Sequence, residues 1–398
     1  MADNNENKVL NVPHLRFPEF SGEWEMASLQ DIAAINPKSD QLQNTFIYID
    51  LEAVEKGELR KIQEIMREEA PSRAQRVINN NDILFQCVRP YQKNNYIHKI
   101  LNTSNQQWVA STGYAQIRTT ESPNYIYHLL NTDGFNRKVM VRCTGSSYPA
   151  INSEDLATIR FYYTPDKKEQ FKISRLLDLI DERIATQNKI IERYESLIRG
   201  INQYAFTNTG INYKLGEICE IRSGYSGNQL TLKNGLKVSR IETISGHKVN
   251  MERVGYVAPF ESSENYRLQI GDILFSNINS VEYIGNTAFI DKDYNLYHGM
   301  NLLRLIPKKE LVMPFYLYLV LNTNRLLNHF KTVCNKAVSQ ASINQTELGK
   351  TIVRIPNLMN QNRICELFQT LYTKLEAERY FISLLQDQKQ HLLRQMFI

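Results

Sequence analysis

The pattern of apolar residues changes abruptly at two prolines of the 398-residue chain, Pro165 and Pro356. Before each proline, short segments alternate apolar and polar residues, which is typical of strands. After each proline, apolar residues recur with alternating steps of four and three residues, which is the heptad period of a coiled-coil helix. The chain therefore predicts two β-rich domains, each followed by a long helix.

The two predicted helices carry matching heptad seams. Each seam has ten positions, and at least eight of them are apolar in either copy. The polar interruption at Gln187 recurs 191 residues later as Glu378. Each helix spans about 35 to 40 residues and is therefore about 55 to 60 Å long. The predicted seam residues are Ile173, Leu177, Ile180, Ile184, Ile191 and Ile198 in the first helix, and Ile364, Phe368, Leu371, Leu375, Ile382, Leu385 and Leu392 in the second.

A single amphipathic helix of this length packs either on its own domain or on another helix. Because two equal helices with matching seams are present, we expect them to pair with each other. The order domain, helix, domain, helix favours antiparallel pairing, with one domain at each end of the pair. The predicted fold is α+β, with two similar mixed α/β domains separated by a long antiparallel two-helix coiled coil and related by a pseudo-two-fold axis.

Short motifs repeat with the same step of about 190 residues. Leu29–Ile35 returns as Leu215–Ile221, and Asp82–Phe85 returns as Asp272–Phe275. The repeated framework positions also include Gly113 with Gly299, Ile151 and Asn152 with Ile343 and Asn344, and Leu156 with Leu348. The predicted boundaries are an N-terminal tail at 1–16, a first domain at 17–158, a central helical region at 159–208, a second domain at 209–355 and a C-terminal helical region at 356–398.

Composition favours a soluble protein of the reducing cytoplasm. Residues 1–11 are polar, unlike a signal peptide, and no apolar run is long enough for a membrane helix. The five cysteines are scattered and lack C-x-x-C spacing, which argues against disulfides and zinc. The net charge is +5; residues 17–158 carry 14 basic against 17 acidic residues, and residues 210–355 carry 17 against 12. This charge permits DNA binding but does not establish it.

Known catalytic and cofactor motifs are incomplete in this chain. Gly349, Lys350 and Thr351 resemble the end of a P-loop, but its first glycine would fall at Asn344. The sequence Asn36-Pro-Lys38 lacks the second proline and the aromatic residue of the amino-methyltransferase motif. The seven histidines are dispersed, without a His-x-x-x-His pair. We therefore assign no catalytic residue, no metal site and no cofactor to this chain.

Loops that mix basic, amide and aromatic residues follow the repeated strands. Arginine and lysine bond guanine, asparagine and glutamine bond adenine, and tyrosine and serine reach phosphates. The alternative is that these are ordinary solvated loops. We expect the glycines near Tyr225 to permit close backbone approach to a ligand. The predicted DNA contacts are Lys38, Arg89, Tyr91, Gln92, Lys93, Asn94 and Asn95 in the first domain, and Arg222, Tyr225, Asn228, Asn277, Asn279, Ser280 and Tyr283 in the second. Because these loops differ while the framework repeats, the predicted target is asymmetric and split.

Together these features resemble the specificity subunits (HsdS) of type I restriction-modification enzymes. The resemblance runs from the opening segment Pro13–Trp24 to the last helix and includes the segments Ser147–Asn152 and Ser339–Asn344 before each helix. The family's usual Gln-Pro turn is replaced by Ser147-Tyr-Pro in the first segment, and the second lacks the proline, which leaves the course of the chain into each helix open.

The resemblance implies two target-recognition domains and a coiled coil formed by two helical regions. It also implies a chain without a catalytic site, which docks two modification subunits that bind S-adenosylmethionine and methylate adenine N6. In the full complex, two restriction subunits that use ATP and Mg²⁺ are expected as well. A coiled coil that spaces the domains predicts that four residues inserted near Gln187 would change the unspecified DNA spacer.

Two other functions stay open from the residues alone. The first is a coiled-coil interaction scaffold with no DNA role, which the acidic balance of the first domain allows. The second is a methyltransferase with its own recognition domain, against which the missing cofactor loop argues.

Overall fold

The structure is a computed structural model that describes residues 10–99, 106–206, 210–231, 234–336 and 340–398. It forms two compact units: the first runs to Lys189 and includes Tyr380–Ile398, and the second is Ile190–Arg379. Each unit contains one β-rich domain and a segment of both long helices. Residues 1–9 of the predicted tail, the boundary residues 207–209 and Ser339 lie outside the described residues.

The first domain is mixed, with short strands and four short helices ahead of the first long helix. In chain order its elements are β1 (Glu25–Ser28), α1 (Leu29–Ile32), β2 (Ala33–Ile35), β3 (Thr45–Ile49), β4 (Val54–Glu55), β5 (Glu58–Leu59), β6 (Gln63–Met66), β7 (Ala74–Val77), β8 (Ile83–Gln86), β9 (Tyr96–Ile97), β10 (Gln107–Ser111), β11 (Tyr114–Thr119), α2 (Pro123–Leu130), α3 (Asp133–Arg142), α4 (Ser153–Ala157), β12 (Arg160–Tyr163) and the long helix α5 (Lys167–Tyr204).

The second domain repeats this order around a common framework. Its elements are β13 (Ile211–Lys214), α6 (Leu215–Ile218), β14 (Cys219–Ser223), β15 (Leu236–Val238), β16 (Gly255–Val257), β17 (Ile273–Phe275), β18 (Ile278–Asn279), β19 (Thr287–Phe289), β20 (Leu303–Pro307), α7 (Pro314–Leu321), α8 (Asn324–Val333), β21 (Asn335–Lys336), β22 (Ala341–Ser342), α9 (Gln345–Gly349), β23 (Ile352–Ile355) and the long helix α10 (Leu358–Met396).

Each domain is built on a four-stranded antiparallel sheet with the same strand order. The order is β2-β11-β8-β9 in the first domain and β14-β20-β17-β19 in the second. The repeated Asp-Ile-Leu-Phe motifs form β8 and β17, whose apolar residues are buried. In each domain a helix pair, α2 and α3 or α7 and α8, follows the sheet, and the last strand pairs with the first. The duplication inferred from the sequence is confirmed at the level of strand order.

The domains differ in what is added to this framework. The first carries a second sheet of order β6-β3-β10-β7, in which β3 and β10 are parallel. The second has instead the pair β15-β16, and its small sheet β18-β22-β21 corresponds to the single bridges that Ala150 forms with Val88 and Thr144 in the first domain. The second sheet of the first domain and the pair β15-β16 lie outside the repeated motifs of the sequence.

In the first unit, the start of α5 packs against the end of α10. Leu177 shares one apolar core with Leu393 and Met396, and that core also contains residues of the sheet and of α2. Further along α5, Asp181 forms an ion pair with Lys389 (2.5 Å). Because residue numbers rise along one helix as they fall along the other, the two segments are antiparallel.

In the second unit, the end of α5 packs against the start of α10. Glu195 forms an ion pair with Arg379 (2.7 Å), and the rings of Phe206 and Phe368 lie 5.9 Å apart. These segments are therefore antiparallel as well. All thirteen predicted seam residues are buried or half-buried. No helix in the described part of the chain has the length and apolar content to cross a membrane.

Phe206 and Phe397 occupy equivalent places in the two units and are separated by the same step as Gln187 and Glu378. Phe206 contacts Tyr316 of α7 (5.4 Å between ring centroids), and Phe397 contacts Tyr125 of α2 (5.3 Å). Phe397 also packs on Trp24. Phe206 packs on the domain that directly follows it in the sequence. Phe397, in contrast, packs on the first domain, which lies more than 200 residues earlier in the sequence. The last residues of the chain thus complete the core of the first unit.

We expect Phe397→Ala to lower the free energy of unfolding of the first unit by about 3 to 5 kcal/mol, because removal of a buried phenylalanine leaves a cavity. The measurement is urea denaturation followed by the fluorescence of Trp24, which lies beside Phe397. The control is removal of Ile398, whose side chain is 45% exposed. Equal midpoints for Phe397→Ala and the wild type would contradict this role.

Candidate nucleic-acid interface

The loops predicted to contact DNA emerge from one edge of the central sheet in each domain. β2 and β8 are both antiparallel to β11 and therefore point in the same direction, although Ile35 at the end of β2 and Ile83 at the start of β8 both lie opposite Ile117. β14 and β17 likewise flank β20 and point in the same direction. The predicted loops thus leave the central sheet in one direction in each domain.

In the first domain, the loop after β8 presents Arg89, Tyr91 and Gln92 at this edge. Arg89 adopts a left-handed backbone conformation (φ +54°), and its guanidinium lies over the ring of Tyr148, 4.4 Å from the centroid. Tyr91 is half exposed, and the exposed Gln92 accepts a hydrogen bond from Gln86. Stacking on Tyr148 restrains Arg89 while it leaves the donor groups of the arginine available.

Three other predicted contacts of this loop face inward. Asn95 is buried; it accepts a hydrogen bond from the N–H of Gln86 (2.8 Å) and donates one to Asn131 (3.1 Å). Asn94 accepts from the N–H of Lys56, and Lys93 forms an ion pair with Asp133 (2.7 Å). The prediction that Asn95 contacts DNA is corrected, since both of its amide atoms hold the loop from within. Asn94 and Lys93 are half-buried and already bonded.

Lys38 lies on an exposed loop that Asn36 holds in place. Asn36 has a left-handed conformation (φ +50°) and donates to the hydroxyl of Ser153 (2.7 Å). Its side-chain oxygen accepts from the N–H of Gln116 (2.9 Å). Asn36 thus has a structural role, and Lys38 is exposed to solvent.

In the second domain, the predicted contacts after β17 differ in accessibility. Asn277 is half-buried and donates weakly to the carbonyl of Ile343 (3.4 Å), and Asn279 donates to Ser276 (3.1 Å). Both residues tie the loop to itself or to the segment before α9. Ser280 and Tyr283 are exposed at the tip of the loop.

The glycine-rich loop after β14 packs against the protein itself. The backbone of Gly224 lies so close to that of Gly299 that a Cβ would come within 1.8 Å of its carbonyl oxygen. Gly227 lies against the ring of Tyr225, which stacks on Phe260 at 3.9 Å. The expectation that these glycines admit a ligand is therefore corrected: they admit neighbouring backbone and an aromatic ring. Asn228 is exposed.

A polar cleft of about 720 Å³ opens beside this loop in the second domain. Its lining includes Arg222, Arg304, His298, Tyr266 and Gln345. Arg222 is exposed and pairs with Glu220 (2.7 Å), whereas Arg304 is buried and pairs with Asp272 (2.6 Å). The Nε atom of Arg304 has no hydrogen-bond partner in the described residues.

The strand register identifies the residues of the first domain that correspond to those lining the cleft of the second domain. Asn36 and Gln116 lie opposite each other there, as Arg222 and Arg304 do in the second domain. Gln116 bonds Asp82, just as Arg304 bonds Asp272, and Arg118 adds a two-point ion pair to Asp82 (2.8 Å for both bonds). The hydrogen bond from Asn36 to Ser153 spans the region that corresponds to the cleft. Sequence reasoning did not identify Arg118 or Arg304, although the repeated aspartate at the start of β8 and β17 was the signal for a buried cation.

The cationic groups of the cleft are its two arginines, and His298 does not add to them. Burial lowers the pKa of His298 to about 4, against the opposing effect of its hydrogen bond to the carbonyl of Leu302. His298 is therefore neutral at pH 7. Among the described residues, no group of three or more His, Cys, Asp or Glu side chains could hold a metal ion.

Comparison with protein families gives a match in both halves of the chain. The model of the type I restriction modification DNA specificity domain matches residues 21–196 and again residues 211–381. The chain belongs to this family of type I specificity proteins. The two matched segments each include one domain and most of the helix that follows it. The family inferred from the sequence and the predicted α+β fold with two similar domains are both confirmed.

Two relatives come from Methanocaldococcus jannaschii. The chain is 38% identical over 188 residues to the "Putative type I restriction enzyme MjaX specificity subunit", in a match that covers 46% of this chain and only 44% of that subunit. It is 23% identical over 412 residues to the "Type I restriction enzyme MjaVIII specificity subunit", with 94% and 91% of the two chains covered. The first match thus spans less than half of that relative.

Two solved structures share the fold of this type I specificity protein. One comes from work on "complex assembly" and "conformational transition of the type I R-M system"; it has a TM-score of 0.60 and 22% identity, over 93% of this chain and 96% of that chain. The other is the S subunit of the type I restriction-modification system from M. genitalium, with a TM-score of 0.60 and 14% identity over 97% and 99%.

The neutral state of His298 predicts a loss of stability in acid. Between its ordinary pKa of 6.5 and the folded value of about 4, the unfolded chain binds a proton that the folded chain does not. The free energy of unfolding therefore keeps its full value above pH 6.5. It decreases by about 3 kcal/mol as the pH falls to 4. We expect His298→Gln, which keeps a donor for Leu302, to flatten the pH dependence of urea midpoints in this range. The exposed His391 provides the control His391→Gln. An unaltered pH dependence in His298→Gln would refute the assignment.

Proposed function

We propose that this type I specificity protein reads two different short DNA sequences, one with each domain, on behalf of a restriction-modification complex. One observation carries the proposal: the same sheet framework presents different side chains at the same edge in the two domains. Because the framework repeats, both domains can dock on DNA in the same way. Because the side chains at the edge differ, each domain can recognise a different sequence. The double match to a DNA specificity domain supports this assignment.

The exposed residues of each edge suit contact with a duplex. The exposed Lys38, Tyr91 and Gln92 and the half-buried Arg89 serve the first domain, and the exposed Arg222, Asn228, Ser280 and Tyr283 serve the second. A bidentate contact to a base contributes about 1 to 3 kcal/mol of discrimination. One domain can therefore specify only a few base pairs, and two domains together define an asymmetric bipartite target.

We further propose that the paired helices set the spacer between the two half-sites and dock two modification subunits. Those subunits carry S-adenosylmethionine and methylate adenine N6, and two restriction subunits with ATP and Mg²⁺ join through them. In this proposal the chain itself is not catalytic. Its cytoplasmic location stays a prediction from the sequence.

The direct test is to map N6-methyladenine across the genome of a host that expresses this chain with its modification subunits. A single bipartite motif with a fixed spacer is the expected result. Methylation that does not depend on this chain, or that shows no bipartite motif, would refute the proposal.

The alternative of an interaction scaffold without a DNA role rests on the acidic balance of the first domain. Salt dependence of duplex binding by the complex separates the two functions. With about six phosphate contacts, affinity should fall by about a thousandfold between 50 and 200 mM salt. A scaffold would show no such slope.

Arg89 and Arg222 provide matched variants, one in each domain. We expect Arg89→Met to reduce discrimination at the first half-site about tenfold or more and to leave the second unchanged, because each arginine lies at the edge of one sheet only. Arg222→Met should do the reverse. Competition binding with duplexes altered in one half-site at a time measures both effects, and each variant is the control for the other. Equal loss at both half-sites would contradict separate reading.

Insertion of one heptad into each long helix, near Gln187 and at the equivalent Glu378, should lengthen the spacer. Seven residues preserve the seam and add about 10 Å, which corresponds to about three base pairs. Methylation mapping gives the spacer directly. An unchanged spacer in an insertion variant that still methylates both half-sites would rule out the helices as the ruler.

A further inference from the structure

One buried glutamine occupies the same place at the start of both long helices. Gln170 lies in the first turns of α5 and Gln361 in the first turns of α10, 191 residues apart. Each side chain is fully buried, with a relative exposure of 0%. A glutamine near the start of a helix would normally be solvated, so complete burial in both copies points to a specific role.

Both glutamines join the same three parts of their unit. The side-chain oxygen of Gln170 accepts from the N–H of Ser122, the residue before α2, and its amide donates to the carbonyl of Thr164, before α5 (2.9 and 2.8 Å). Gln361 accepts from the N–H of Met313, before α7, and donates to the carbonyl of Pro356, before α10 (both 2.8 Å). Each glutamine has a second acceptor as well, Glu121 or the carbonyl of Leu311.

These bonds restrict how the domain is oriented on its helix. Only Thr164–Asp166 connect β12 to α5, and only Pro356 and Asn357 connect β23 to α10. A short connection alone permits rotation about its backbone dihedrals. The start of each helix also packs in the apolar core of its domain, and the glutamine adds directional hydrogen bonds to that packing, because α2 and α7 belong to the same cores through the buried Tyr125 and Tyr316. Hydrogen bonds weaken steeply when their geometry changes, so they restrict the angle between helix and domain more closely than apolar contact does.

We propose that Gln170 and Gln361 are positioning residues that fix the angle between each recognition domain and its helix, and thereby hold the DNA spacer to a single length. This inference rests on the proposed function, in which the helices space two reading domains. A ruler gives one spacer length only if both domains are rigidly attached to it. The other bonds between helix and domain differ in the two units, such as Asp178 with His128 in the first and Glu376 with Lys248 in the second.

The test uses the complete complex with its modification subunits. The substrates are duplexes that carry both half-sites with the mapped spacer or with one base pair more or fewer. Gln170→Met and Gln361→Met keep the length of the side chain and remove all three of its hydrogen bonds. We expect methylation of the two altered spacers, relative to the mapped spacer, to rise about three- to tenfold, which is the effect of one to two net hydrogen bonds. Gln386→Met, on the exposed face of α10, should leave the ratio unchanged.

A second pair of variants removes the donor instead of the acceptor. Ser122 and Met313 have φ values of −63° and −67°, which proline adopts, so Ser122→Pro and Met313→Pro delete the N–H that each glutamine accepts. If the bond is what positions the domain, each proline variant should relax the spacer in the same way, and combination with the glutamine variant in the same unit should add little.

The outcomes distinguish this inference from the function on which it depends. A wild-type complex that methylates no bipartite site would refute the proposed function. Variants that fold, as judged by thermal melting, and keep the wild-type ratio among spacers would overturn the positioning role. A variant that lowers methylation equally at all three spacers would also overturn it, because that pattern indicates lost stability and not lost angle.

Discussion

Burial of the helix seams is the interaction on which both units depend. A heptad stripe about 55 Å long cannot be covered by one small domain, so it requires a second helix of similar length. The chain supplies this helix from its own other repeat. As a result, the core of the first unit contains residues from both ends of the sequence, and Leu177 packs in the same cluster as Leu393. The duplication therefore produces two units that each take part of both repeats.

This arrangement explains why the sequence was informative about the framework. A heptad period and a long internal repeat are regular signals, and they predicted the long helices, the repeated strands and two similar domains. The added sheet of the first domain could not be predicted in this way, because its parallel pair joins β3 to β10, which are distant in the chain and share no local pattern. The sequence offset of 191 residues between the two copies also aligns Gln170 with Gln361 and Phe206 with Phe397. An isolated polar or aromatic residue is uninformative until its neighbours are known.

The sequence predicted which loops follow the repeated strands, but it did not predict the contacts of their side chains. Amide residues in a loop can bond either a base or the protein's own backbone. Asn95 and Asn36 bond the protein itself, and the structure alone reveals this choice. Gln92, three residues before Asn95 in the chain, is exposed. Composition cannot separate these cases, because the same side chains perform both roles equally well.

The two domains show how one framework supports different surfaces. Backbone hydrogen bonds hold β2 to β11 and β14 to β20 whatever their side chains are, so the residues at the edge are free to change. Asn36, Gln116 and Ser153 bond one another and the buried Asp82, which closes the surface of the first domain. In the second domain Arg222, Arg304 and Gln345 take these positions and line an open polar cleft. The buried aspartate is still paired, by Arg304 where Gln116 stood, so the core tolerates the exchange. The exchange of these three residues, together with the loops that supply Tyr266 and His298, thus accompanies the change from a closed surface to a polar cleft on a sheet of the same strand order. Divergence of this kind changes the surface of a duplicated domain without a new fold.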